Sequence, residues 1–449
     1  MSSVWKERLF SSICAAALVT AGGAAAQSSG VGPTIYAPPS TEVQPGARHT
    51  NVKILVPPGP GTVEERAAKF HPLSLPAPSL TETPGSLACV YHLIPQSSGC
   101  NPNIVWSPGG AGGSKAIAVV DAFDNPSAVG DLALFSSTFN LPQANFQVIW
   151  GTGVPAAGCA NGPIQPPLSL GSGWDIEASL DIEYAHAMAP NAKLYLVEAL
   201  SSSNEDLLNA VAVATDCVQA QGGGQVSMSW GGPEFLGQNS YDFYFERANV
   251  TYFASAGDAP GVSWPASSPQ VIGVGGTTWS RNQITGFYQS EGVWNDWAKG
   301  IGTGGGPSEI YSTPTYQQGI VQIVGEFRGT PDIAALADPY NGVWVFNSLN
   351  GGWQAVGGTS LASPVVAGIF NRQGWFFPTS FAALTNLYTL AAEKKLAPYV
   401  TDVNNGFCGP GHLAYPASNG NGYDPAYIEA TTGLSWDWCT GWGTPRGPH

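Results

Sequence analysis

Short apolar runs alternate with amphipathic stretches over most of the chain. From about Thr83 onward, Lys115–Asp121, Lys193–Glu198, Gly224–Trp230, Val250–Ala256 and Gln270–Gly275 are apolar runs of strand length. Bounded by turn residues, they predict buried strands. Asp175–Ala189 and Leu207–Gln219 carry helical spacing instead, and a further helix is predicted from Ser360 through Phe370. Strand, helix and strand in repeated order predict an α/β domain whose parallel sheet is flanked by helices on both faces. No solenoid-type repeat interrupts this order. Residues 27–82 are different: they are rich in Pro, Ser, Gly and Thr, with Pro57-Pro-Gly-Pro-Gly61. They read as an extended or poorly ordered leader, with one short amphipathic piece, Val63 to Phe70, of helical character.

The first residues carry another pattern. Lys6 and Arg8 precede an apolar stretch from Leu9 to about Val19, and Ala24-Ala25-Ala26 supplies small residues for cleavage. Residues 1–26 therefore read as a secretory signal, too short for a comfortable membrane span. No other run is long enough to span, so a secreted protein, extracellular or periplasmic, with no membrane partner is expected. Organisation by sequence is then a signal at 1–26, the leader at 27–82 and one domain at 83–449.

Composition narrows the function. The 449 residues hold 31 Asp and Glu against 16 Lys and Arg, a net charge of -15, with 10% charged residues. A nucleic-acid partner needs a basic face, so this balance argues against one. Few basic groups also mean less self-repulsion once carboxylates protonate, which favours tolerance of acid. Beyond Cys14 in the signal, the cysteines are Cys89, Cys100, Cys159, Cys217, Cys408 and Cys439. An even set in an exported chain points to three disulfides, while the close Cys/His spacing of a zinc site is absent. Six cysteines allow 15 pairings, which sequence alone does not fix. Cys89–Cys100 and Cys408–Cys439 are the favoured pairs, leaving Cys159–Cys217.

Chemistry concentrates at Gly357-Gly-Thr-Ser360, which leads into a predicted helix containing Pro364. Glycines let a backbone turn sharply and approach a ligand closely. A Ser at a helix start has unpaired amides and the positive end of the dipole beside it, as an oxyanion requires. The plainer reading of the same residues is a Ser helix cap.

Several ordered segments decide between these readings. Gly357-Gly-Thr-Ser-Leu-Ala-Ser-Pro364, Ser229-Trp-Gly231, Ser255-Ala-Gly-Asp258, Val271-Ile-Gly-Val-Gly-Gly-Thr-Thr278, Gly304-Gly-Gly-Pro-Ser308, Pro314-Thr-Tyr-Gln317 and Pro331-Asp-Ile-Ala-Ala-Leu-Ala-Asp-Pro339 occur together in this chain. The chain resembles the sedolisins, the serine-carboxyl peptidases, from about Thr83 to Pro445. The resemblance implies a subtilisin-like fold and a secreted endopeptidase that hydrolyses protein or peptide substrates at acidic pH through an acyl-enzyme on Ser360. Sedolisins usually carry a large folded pro-domain, and residues 27–82 are too few for one of that kind; they stand as a leader or reduced pro-segment. A monomer is expected.

Glu177 and Asp181 lie four apart on one face of the predicted helix, where like charges raise the pKa of one of them. By the resemblance, Glu177 is the general base for Ser360 and Asp181 orients it; Asp175 and Glu183 are nearby decoys. A solvated acidic helix face is the bland alternative, although Ile176, Leu180 and Ile182 argue for burial. Asp258 matches the family's oxyanion Asp, which must be protonated to donate. Ala259 follows it where the family often has Ser. A carboxylate base also works where an imidazole, with a pKa of about 6.5, is already charged. Asp121, at the end of a strand resembling the one that carries the subtilisin catalytic Asp, is expected to support Glu177 and Asp181 together with Trp230.

Two other functions are compatible with the fold. A subtilisin-like neutral protease needs a histidine base, but none of His49, His71, His92, His186, His412 and His449 sits in a His-Gly-Thr setting. His186, on the Glu177 helix, reads as structural. The other is a non-catalytic binding module, against which the joint presence of Ser360, Glu177, Asp181 and Asp258 argues. Near the end of the chain, Thr401-Asp402-Val403 and Thr432-Gly-Leu-Ser-Trp-Asp437 resemble the sedolisin calcium site. The resemblance implies one Ca²⁺, with carboxylates from Asp402 and Asp437 and backbone carbonyls from Val403, Gly433 and Ser435. Ser435 replaces a usual Gly, and Asp424 is the competing second acidic ligand.

Overall fold

The computed structural model describes residues 32–69, 75, 79–153, 158–408, 415–416 and 436–448. Its centre is an eight-stranded sheet. Six parallel strands lie in the spatial order Ile272–Arg281, Val250–Ser255, Gly224–Met228, Ala116–Ala122, Lys193–Ala199 and Asn145–Trp150. Tyr288–Val293 closes one edge antiparallel, and Ile333–Leu336 also pairs in parallel with Ile272–Arg281. The first strand in sequence, Ala116–Ala122, lies between Lys193–Ala199 and Gly224–Met228, so the winding reverses there. Loops diverge at the carboxyl ends of strands flanking such a reversal, and that opening is where α/β sheets bind ligands.

Strand alternation builds a core on each face. Ala116, Ala118 and Val120 pack with Leu207, Val211 and Ala214 of the helix Asn204–Ala220. Ile117 and Val119 point the other way, onto Ala178, Ile182 and Ala185. Those residues belong to the helix Trp174–Met188, which is buried along its whole length. Leu361, Val365 and Ile369 of the helix Thr359–Arg372 join Ile176, Leu180 and Tyr184 in the largest cluster. The helix that carries the acidic pair is thus sandwiched between the sheet and its neighbours.

Element types follow the sequence pattern with small boundary shifts and one break. The run Gly224–Trp230 is split at Ser229, into Gly224–Met228 and Trp230–Pro233. The break turns the Ser229 side chain inward. A Ser cap at Ser360 is also corrected: the helix begins at Thr359 and Gly358 occupies its N-cap with a φ of 103°. Ser360 is left free for other partners.

The leader is built into this body. Thr34–Tyr36 and Lys53–Val56 form a four-stranded sheet with Gly352–Gly357 and Val343–Asn347. His49–Thr50 pairs antiparallel with Trp230–Pro233. Val63–Ala67 is a short helix whose Thr62–Glu65 capping box satisfies its first amides. Both favoured disulfides, Cys89–Cys100 and Cys408–Cys439, form, and so does the remaining pair Cys159–Cys217.

Candidate active site

Ser360, Glu177, Asp181 and Asp258 are brought together at the carboxyl ends of the central strands. Glu177 and Asp181 come from the buried helix, Asp258 from the turn after Val250–Ser255, and Ser360 from the second position of its own helix. Asp121, at the end of the first strand, joins them. Glu177, Asp181, Asp121 and Ser360 are wholly buried, and Asp258 is 7% exposed.

Burial dominates the protonation of the carboxyls, and the Lys53 charge opposes it only in part at Glu177. Desolvation raises Asp121 to about 8. It raises Glu177 and Asp181 well above the usual carboxylate range, and the Asp121 charge raises both further. Three buried acids in mutual reach cannot all ionise, so they hold protons in common. Among the described residues Asp181 has one hydrogen-bond partner, the Ser229 hydroxyl at 2.7 Å from Oδ1. Neither oxygen of Glu177 or Asp121 has a hydrogen-bond partner among the described residues. The Ser360 hydroxyl is near enough to Glu177 to favour its charged form, though it is turned elsewhere.

Ser360 Oγ donates to the Ser229 carbonyl at 3.1 Å and accepts the Asn51 amide at 3.0 Å. The Ser360 amide faces the Asn51 carbonyl at 3.4 Å. Asp258 accepts the Thr359 amide at 2.7 Å and the Thr359 hydroxyl at 2.9 Å, and pairs with the Lys53 ammonium at 2.8 Å. In this arrangement Asp258 is an acceptor throughout. The donor role read from the sequence therefore requires Lys53 to withdraw and the carboxyl to gain a proton. Asn51 and Lys53 escaped the sequence reading because their partners lie 309 and 205 positions away, with no local pattern linking them.

Other expectations place differently. Trp230 donates to the Val120 carbonyl at 2.9 Å rather than to a carboxylate. It fixes the strand that carries Asp121. Asp175 bonds Asn350, and Glu183 accepts the Phe346 amide, so neither decoy enters the site. His186 contacts the Pro142 carbonyl at 2.9 Å, and burial lowers its pKa to about 4. An imidazole so held is structural.

At the calcium-like segment, Asp437 is buried and accepts the Cys439 and Thr440 amides and the Thr440 hydroxyl. Burial, with the charge of Asp402 added, raises it to about 8. Two carboxyls in mutual repulsion beside the buried Val403 suit a hard oxygen-seeking cation, which would reverse that repulsion. Gly433, Ser435 and Asp424 lie outside the described residues. Among the described residues no group of three or more His, Cys, Asp or Glu could hold a metal, and a site of two carboxylates and three carbonyls needs none.

Comparison with known proteins gives these features a lineage. The subtilase family model matches residues 151–373. The solved Pseudomonas sedolisin (serine-carboxyl proteinase), complexed with two molecules of pseudo-iodotyrostatin, superposes with a TM-score of 0.61 at 24% identity, over 81% of this chain and 95% of that one. The fold is subtilisin-like. Kumamolisin of Bacillus sp. (strain MN-32) is 32% identical over 66% of this chain and 52% of its own. Sedolisin of Pseudomonas sp. (strain 101) is 29% identical over 70% and 53%. Within the subtilisin-like class the chain is similar to the sedolisins. It spans about half the length of these curated relatives.

Proposed function

We propose that the chain is a secreted serine-carboxyl endopeptidase acting on proteins or peptides at acidic pH. The carrying observation is the enclosure of Ser360 by carboxyl groups, Glu177 on one side and Asp258 at the head of its helix, while His186 is held away on the Pro142 carbonyl. Glu177 takes the Ser360 proton as Oγ attacks the substrate carbonyl, and Asp181 orients Glu177 and shares its proton. The oxyanion is met by the Ser360 amide and by Asp258 in its protonated form. The peptide C–N bond then breaks and the leaving amine takes its proton from Glu177. Water, activated by Glu177, releases the acyl group from Ser360.

The need for a neutral Asp258 and an anionic base in the same site restricts activity to acid. Three disulfides support export to an oxidising compartment. Among the described residues no helix is long and apolar enough to cross a membrane. One Ca²⁺ held by Asp402, Val403, Gly433, Ser435 and Asp437 would tie the last segment of the chain to the body. The enzyme acts as a monomer. Hydrolysis of acid-denatured protein tests the reading: wild type should cleave it at about pH 4 and Ser360→Ala should not, and equal activity in both would refute it.

A further inference from the structure

Residues 48–53 run through the active site with the geometry of a peptide under attack. His49 and Thr50 pair antiparallel with Gly231 and Trp230, so this stretch adds a strand to the segment that follows Ser229. Strand addition of this kind recognises a peptide by its backbone and leaves side chains to pockets. The next residue, Asn51, puts its amide on Ser360 Oγ and its carbonyl before the Ser360 amide. Gly358 has no side chain just there: a Cβ on it would lie 1.8 Å from the Asn51 oxygen. Beyond Asn51 the chain leaves along Gly352–Gly357 as the strand Lys53–Val56. A purely structural strand would not need to offer its carbonyl to the nucleophile's amide.

The side chains enter built pockets. Asn51 Nδ2 donates to Ser255 Oγ at 2.8 Å. Arg48 is 7% exposed, and its guanidinium carbon lies 4.8 Å from the centre of the Trp264 ring and 4.9 Å from that of Phe235. Its Nε donates to Asn204 Oδ1, and Nη1 reaches the Pro233 carbonyl at 3.4 Å. Gly232 opens the space: a Cβ there would lie 2.5 Å from Nη1. No carboxylate pairs with this cation among the described residues. It is held by two aromatic faces and neutral oxygens, a setting that suits a planar guanidinium better than an ammonium.

We propose that Arg48–Lys53 occupies the substrate groove as a substrate would, with Asn51–Val52 the bond presented to Ser360. Arg48 then fills a subsite of Phe235, Trp264, Asn204 and Pro233 that selects peptides with arginine at the fourth residue before the cleaved bond. This rests on the peptidase reading above. In the reaction Ser360 Oγ bonds the Asn51 carbonyl carbon, the Asn51–Val52 bond breaks, and the Val52 nitrogen leaves as an amine carrying the transferred proton. Water then frees Asn51 as a carboxylic acid. Lys53 holds Asp258 as an acceptor at 2.8 Å, so this step requires Lys53 to withdraw.

The experiment uses the full chain, incubated at about pH 4, and quenched-fluorescence peptides copying residues 46–55 with Arg48 intact or replaced by Ala or Lys. Wild type should gain an N-terminus at Val52 while Ser360→Ala stays intact. The arginine peptide should be cut after the residue equivalent to Asn51, with kcat/KM about tenfold above the alanine and lysine peptides. Phe235→Ala should bring the three peptides to within about threefold of one another. Casein hydrolysis without preference among the peptides, or cleavage of the arginine peptide elsewhere, overturns the subsite and leaves the peptidase reading standing. Hydrolysis of neither casein nor any peptide overturns both.

Discussion

Pro364 stands four residues after Ser360 and has no amide hydrogen to give to the Ser360 carbonyl. That carbonyl accepts the Ser229 hydroxyl instead, at 3.0 Å. The same hydroxyl lies 2.7 Å from Asp181 Oδ1. A hydroxyl has one proton, so two acceptors at these distances are best served when Asp181, raised by burial, donates to Ser229 and Ser229 donates onward. The proline thereby links the Ser360 helix to Asp181 through Ser229.

Ser229→Ala should leave the buried Asp181 carboxyl and the Ser360 carbonyl without that partner. The expected cost is about 1–3 kcal/mol in chemical denaturation. A structural role alone would end there. If Ser229 positions the acid pair, kcat should also fall by about tenfold or more with KM little changed, and Ser229→Thr should restore part of it. Stopped-turnover and steady-state kinetics on the two variants separate these outcomes.

Stability should fall as pH rises through the neutral range. Asp121 titrates near 3.9 when unfolded, about the model-peptide value, but at about 8 in the fold. Between those values the folded state binds more protons than the unfolded one, so folding is favoured in acid and weakened on the alkaline side. Glu177 and Asp181 shift in the same direction and add to the slope. Thermal melts of Ser360→Ala, which removes self-digestion, should give a Tm that decreases between about pH 4 and pH 8. Asp121→Asn should flatten that decrease. A Tm that rises over the same range would contradict the protonation scheme.

Removal of calcium should loosen the end of the chain. A cation bound to the folded state alone stabilises it in proportion to the logarithm of its free concentration. Chelation at neutral pH should lower the Tm and Ca²⁺ should restore it, with Mg²⁺ a poor substitute because it demands tighter octahedral geometry. Asp437→Asn should lose most of this response. A Tm indifferent to chelator and to added Ca²⁺ would remove the cation from the account.

The strands and helices of the central sheet were legible because each is a continuous run with its own period, as in Ala116–Ala122 and Trp174–Met188. The Glu177–Asp181 pair was legible for the same reason, since one helix face sets its spacing. The role of Ser229 was not, because the break in its strand depends on contacts with two other elements. Nor was the place of the leader: Lys53–Val56 has its partners at Gly352–Gly357, and nothing in the Pro-rich composition around it announces a strand. Trp230 shows the converse limit. Its support of Glu177 and Asp181 together with Asp121 was expected, but its indole donates to the backbone carbonyl of Val120.

The identity of the base is the central claim, and the pH dependence of kcat/KM on a protein substrate for wild type, Glu177→Gln and His186→Ala tests it most directly. The account predicts activity confined to acid in wild type, a loss of about 10³-fold or more in Glu177→Gln, and an unaltered profile in His186→Ala. Acid activity retained in Glu177→Gln, or a neutral optimum abolished by His186→Ala, would contradict it.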